Sequence, residues 1–161
     1  MAEQRTNGGE DPEGIFHSRS EEDTFCFGNS LARQIKPPLF ILLSGDLGMG
    51  KTLLVRGLAR GLGVPEETQI GSPSFTLVNS YQGSSCLLHH VDLYRLETLE
   101  EFHGIGLFDL VEENAIVCIE WGEKVRPWIF QGLEVKIEDL GGKERLVRWR
   151  YFGSSQKRIA G

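Results

Sequence analysis

Basic charge is in short supply. Seventeen Lys and Arg against 23 Asp and Glu leave a net charge of −6. A free-standing nucleic-acid binder with a strongly basic surface is therefore disfavoured, though a local basic patch is compatible with this total. Cysteine is also scarce. Cys26, Cys86 and Cys118 are odd in number, far apart and never in a CxxC pair. Neither a disulfide framework nor a zinc knuckle is supported, and two of the three sit in apolar runs as small hydrophobes would. No apolar run reaches the ~18–20 residues of a membrane span. The segment MAEQRTNGGEDPEG lacks the apolar centre of a signal peptide. A reduced, cytoplasmic, soluble protein with no membrane partner is expected.

What is present is ordinary for a globular chain: 161 residues, 40% hydrophobic and 25% charged. That length fits one domain. Residues 1–14 are polar and without periodicity, and are expected to form a disordered lead. Residues 15–152 are expected to form the single domain, and 153–161 a flexible tail whose Lys157 and Arg158 are solvated.

Ile15–His17 reads as a short strand. Ser18 with Glu21 matches a capping box, followed by Thr24, Phe27, Leu31 and Ile35 at helical spacing. Pro37 and Pro38 stop that helix. The run Leu39–Leu43 reads as a strand buried on both faces. A glycine-rich turn follows, then a helix from Lys51 to about Leu62, with Leu54, Leu58 and Leu62 on one face. Phe75–Tyr81, Cys86–Val91 and Ala115–Ile119 read as strands. Residues 97–113 hold short helical pieces broken at Gly104 and Gly106. Leu133–Ile137 and Arg145–Tyr151 read as a late hairpin turning at Gly141-Gly142. The expected class is α/β: a mixed, mostly parallel central sheet flanked by helices, with antiparallel strands at the C-terminal end.

Between the first buried strand and its helix lies Gly45-Asp46-Leu47-Gly48-Met49-Gly50-Lys51-Thr52, a match to GxxxxGK[ST]. Glycines let the backbone curl into a nest of N–H groups aimed at phosphate oxygens. The helix N-terminus adds about half a positive charge. Lys51 can reach the β and γ oxygens, and the Thr52 hydroxyl can ligate Mg²⁺. A mere capping turn has no use for lysine at that position.

Such a loop needs an acid near the metal, usually at the end of a buried strand. Ala115–Ile119 runs into Glu120, and Cys86–Val91 runs into Asp92. Either carboxylate could hold Mg²⁺ or orient water, and either could simply leave its strand into solvent. His89 and His90 are adjacent on a strand, so they face opposite sides and cannot share one metal. Packed or hydrogen-bonded histidines are expected there. Arg95 is a candidate for phosphate or for an acid. Gly71-Ser72-Pro73-Ser74-Phe75-Thr76 is placed like a switch segment. Trp121, Trp128 and Phe130 follow Glu120 and suit either a core or a docking surface. No NKxD guanine reader exists, so ATP is expected rather than GTP. A small-molecule kinase is the enzymatic rival, but Lys124 and Arg126 are thin for an arginine-rich lid. A nucleotide-binding adaptor without turnover is the third option.

Four segments assembled in order resemble the TsaE (YjeE) family. They are Leu43–Thr52, Ser72–Val78, His90–Leu96 and Ile119–Glu123, within a similarity spanning roughly Phe16 to Tyr151. The resemblance implies a P-loop NTPase fold and a site for ATP and Mg²⁺. It implies an ATPase of bacterial tRNA threonylcarbamoyladenosine (t6A) synthesis. Its partners would be TsaB-type and TsaD-type subunits, the latter transferring threonylcarbamoyl to adenosine 37 of tRNAs reading ANN codons. tRNA would be met only through that complex. By position, Lys51 would hold phosphate, Thr52 and Glu120 would ligate Mg²⁺, and Asp92 would sit at the active site. Thr24 matches a nucleotide-contacting threonine near the family's N-terminus. Gly122 stands where the family usually has proline, and Ser74 where it often has threonine.

Overall fold

The computed structural model describes residues 3–5, 11–46 and 48–153. Leu47, much of the expected lead and residues 154–161 of the expected tail lie outside the described residues. The lead is not structureless throughout. Glu3–Arg5 forms strand β1, antiparallel to β2 (Glu13–Ser18).

Helix α1 (Glu21–Ala32) is capped two residues later than expected. Ser20, not Ser18, is the N-cap, accepting the Asp23 amide at 3.1 Å. Ser18 is the last residue of β2 and fully buried, so its hydroxyl turns inward to Thr24 Oγ1 at 2.7 Å. β3 (Leu39–Ser44) alternates its buried residues between two cores. Ile41 and Leu43 face α1 and α2 (Lys51–Gly61), while Phe40 and Leu42 face the other side.

The next strand is shorter than expected: β4 covers Val78–Gln82, not Phe75–Tyr81. A turn anchored by the Leu77 amide on Pro73 O at 2.7 Å intervenes, and Leu77 itself takes φ 68°. β5 (Leu87–Asp92), α3 (Leu99–Gly104), a 3-10 turn at Leu107–Asp109 and β6 (Ala115–Glu120) follow. Thr98 and Glu101 form a reciprocal capping box on α3. Further 3-10 turns at Gly122–Lys124 and Arg126–Trp128 lead to the hairpin β7 (Gly132–Gly141) and β8 (Glu144–Phe152).

One sheet runs β1-β2-β8-β7-β3-β6-β5-β4. β7, β3, β6 and β5 are mutually parallel, and every other pairing is antiparallel. This is the expected mixed α/β sheet. Parallel strands bury both faces, which is why β6 is apolar and buried from Ala115 to Ile119.

Helices α1 and α2 cover one face, and they touch backbone to backbone. A Cβ on Gly57 would run into the Phe25 carbonyl, and one on Gly28 into the Leu54 carbonyl. Glycine at these positions sets how deep the loop preceding α2 sits against α1.

Candidate functional site

Three chain segments meet at the carboxyl ends of β3, β6 and β5, where ligands bind open α/β sheets. The loop Gly45–Gly50 leaves β3, Glu120 ends β6 and Asp92 ends β5. The parallel register puts Asp92 directly opposite Glu120, and Glu120 opposite Leu43. Both acids therefore point to the α2 face, beside the start of that helix.

The loop enters α2 through Gly50, whose φ of 99° is a left-handed conformation that glycine adopts without strain. The methyl of Thr24 lies where a Gly50 Cβ would meet it at 3.5 Å. Thr24 is buried and its hydroxyl is already engaged with Ser18. It thus backs the loop from α1. Gly45, Asp46, Gly48 and Met49 form the described part of the loop.

Lys51 is only 5% exposed. Its Nζ donates to the carbonyls of Gly45 and Asp46, the latter at 3.0 Å. It also lies 4.3 Å from the centre of the Trp121 ring, a cation–π contact. Burial pushes the Lys51 ammonium below the ordinary lysine range, while Glu120, Glu123, Asp92 and Asp46 oppose that shift.

Thr52 Oγ1 donates to Glu120 Oε1 at 3.2 Å and approaches Oε2 at 3.4 Å. Glu120 also receives His90 Nε2 on Oε2 at 2.7 Å. Ser72 Oγ donates to Asp92 Oδ2 at 2.8 Å and reaches Glu120 Oε2 at 3.4 Å. The Tyr94 amide fixes Asp92 Oδ1 at 2.9 Å. Together Gly48, Lys51, Ser72, Asp92, Glu120 and Trp121 line a cleft of about 350 Å³.

The structure thus gathers Lys51, Thr52, Asp92 and Glu120 as expected. Ser74 and Arg95 reach the same cleft, and Arg95 stacks on Phe75 at 4.4 Å. Thr76 does not reach it, because its hydroxyl donates to Asn79 Oδ1 at 3.0 Å. The aromatic trio after Glu120 is split. Trp121 enters the cleft with φ 61°, a conformation rare for a side chain of that size, whereas Trp128 and Phe130 are exposed elsewhere.

Ser72 reaches the site from the expected switch-like segment, whereas the place of His90 and Trp121 was not read from the residue pattern. For His90 a signal existed: it lies two residues before Asp92 and so shares its face. Lys124 and Arg126 are committed elsewhere. Lys124 Nζ holds the carbonyls of Leu93, Tyr94 and Leu96, and Arg126 pairs with Glu134 at 2.6 Å. Neither is available as a kinase lid.

The donor set fits a hard divalent cation such as Mg²⁺. A hydroxyl and a carboxylate converge, both oxygen donors. Among the described residues no group of three His, Cys, Asp or Glu could hold a metal by itself.

The profile of the family described as "Threonylcarbamoyl adenosine biosynthesis protein TsaE" matches residues 18–147.

The chain belongs to the TsaE family.

A TsaE of Treponema pallidum is 44% identical over 108 residues, covering 67% of this chain and 78% of that relative. One from Aquifex aeolicus is 36% identical over 129 residues, covering 80% and 90%. The crystal structure of Bacillus subtilis YdiB superposes with a TM-score of 0.70 at 26% identity, covering 98% of this chain and 91% of that one. The TsaE assignment places the chain in threonylcarbamoyladenosine biosynthesis, on a P-loop NTPase-like fold. No described helix is long and apolar enough to cross a membrane.

Proposed function

We propose that this chain binds ATP with Mg²⁺ in the cleft between the Gly45–Gly50 loop and Asp92, and hydrolyses it. The observation that carries this reading is the Thr52–Glu120 contact at 3.2 Å beside the buried Lys51. A lysine, a hydroxyl and an acid meet at the N-terminus of α2, which a glycine-rich loop precedes.

The chemistry is positional and electrostatic. Lys51 exchanges its carbonyl partners for phosphate oxygens and offsets their charge. Backbone N–H groups of the loop do the same from the other side. Thr52 and Glu120 hold the cation, which when bound withdraws charge from the phosphates as a Lewis acid. Asp92, with both oxygens already fixed by Ser72 and the Tyr94 amide, is held beside the reacting end to orient water.

The biological reading follows from the family. The chain acts on TsaB-type and TsaD-type subunits in the modification of adenosine 37, and the TsaD-type subunit performs the transfer. ATP is spent on the state of that complex, and tRNA is met through it. The engagement of Lys124 and Arg126 in the chain's own structure speaks against the kinase alternative.

The test is ATP turnover with and without the TsaB–TsaD pair, together with co-purification of the untagged chain with the TsaD-type subunit. Turnover should rise on addition of the pair. Absent stimulation, with phosphate moving to a metabolite instead, replaces this reading with the kinase.

A further inference from the structure

His90 is fully buried in β5, and its two ring nitrogens are treated unequally. Nε2 lies 2.7 Å from Glu120 Oε2. Nδ1 has no partner among the described residues. A carboxylate oxygen accepts, so in this contact the ring N–H at Nε2 donates to Glu120.

Packing alone does not call for this residue. On its side of the sheet the interior of β5 and β6 is apolar: Leu88, Ile116 and Cys118, the last opposite His90 in the parallel register. A leucine would fill such a position without an unpaired nitrogen. What the histidine adds is a single strong donor to one oxygen of one carboxylate. Glu120 Oε2 is thereby occupied at short range, while Thr52 and Ser72 reach it only at 3.4 Å. Oε1 accepts Thr52 at 3.2 Å, its one hydrogen-bond partner among the described residues, and Glu120 lines the cleft.

We propose that His90 is a positioning residue for the divalent cation: it clamps Glu120 Oε2 from behind and so aims Oε1, paired with Thr52, at the metal. This rests on the reading of the cleft as a magnesium–nucleotide site. A ligating carboxylate restrained by a buried donor is a general way to raise metal affinity.

Three variants and two measurements test it. His90→Leu keeps volume and removes the donor. His90→Gln can place an amide N–H near the Nε2 position. His90→Asn offers the same group too far back. Mn²⁺ uptake in the presence of ADP is read by electron paramagnetic resonance, and fluorescent ADP binding is read in EDTA. His90→Leu should weaken Mn²⁺ binding by about tenfold and leave metal-free ADP binding unchanged. His90→Gln should stay within about threefold of wild type, and His90→Asn should resemble the leucine variant. If His90→Leu does not fold, the Gln–Asn comparison decides: tighter Mn²⁺ binding by Gln supports the clamp, and equal binding overturns it. A folded His90→Leu with wild-type Mn²⁺ affinity overturns this inference alone, as does an equal loss of metal-free ADP binding. Wild-type protein that takes up no Mn²⁺ with ADP overturns the reading of the site, and this inference with it.

Discussion

Thr52 and Glu120, 68 positions apart in sequence, meet at 3.2 Å between the first turn of α2 and the end of β6. The contact joins a hydroxyl and a carboxylate at the N-terminus of a helix whose first residue is lysine. Substitutions on its two sides should separate binding from turnover. Lys51→Ala should weaken ATP binding by about 10- to 100-fold, the worth of a charge-assisted contact of about 1.5–3 kcal/mol. Glu120→Ala should leave ATP binding within a few fold and lower turnover by about 100-fold or more. Calorimetry and phosphate release measure the two. Wild-type turnover in both variants would remove these residues from the site.

The close approach of α1 and α2 gives a stability prediction. Gly57→Ala must push its methyl against the Phe25 carbonyl, which is backbone and cannot swing away. Overpacking of that kind destabilises by about 2–3 kcal/mol, or roughly 5–10 °C in Tm for a chain of this size. Gly104→Ala meets nothing within 4 Å at the end of α3. It should be neutral or stabilising by up to about 1 kcal/mol. Thermal melts of the two variants should move apart, and equal melts would mean that the helix contact is looser than described.

Tyr151 supplies a pH dependence. The residue is 4% exposed, and burial pushes its hydroxyl up to about 12. Ionisation is thus disfavoured in the folded chain, whereas the unfolded chain ionises near the ordinary value of about 10. Stability is complete below pH ~10 and falls as pH rises toward 12, by up to about 3 kcal/mol. Tyr151→Phe should flatten that part of the alkaline loss. Urea unfolding of both proteins at pH 9 and pH 11.5 measures the difference, and parallel losses would count against it.

Thiol reactivity should be uneven. Cys26 is exposed, while Cys86 and Cys118 are buried. Burial raises the Cys86 thiol, and burial together with nearby Glu120 raises Cys118 well above its usual value. Ellman's reagent should find one fast thiol in the native protein and the remaining two after denaturation. Fast labelling of all three would contradict the packing of β5 and β6.

Much of this was legible in the chain because the signals were local. The apolar run Leu39–Leu43 and the glycine loop that follows define a strand, a turn and a helix by themselves. Glu120 and Asp92 stand out because each ends an apolar strand. The misplaced pieces have non-local causes. Ser18 looks like a cap until Ser20 two residues later offers the better geometry, and its burial is decided by Thr24. Phe75 to Leu77 read as strand, but the backbone turns there, and the Asp92 amide takes the Leu77 carbonyl at 3.0 Å. Trp121 resembles its aromatic neighbours in sequence, and only the left-handed bend at its own Cα sends it toward Lys51.

That last arrangement engages Lys51 wholly within its own chain, its ammonium held by two loop carbonyls and capped by an indole. On the proposed reading a phosphate reaching Lys51 would exchange with these partners, and the emission of Trp121 should change as it does so.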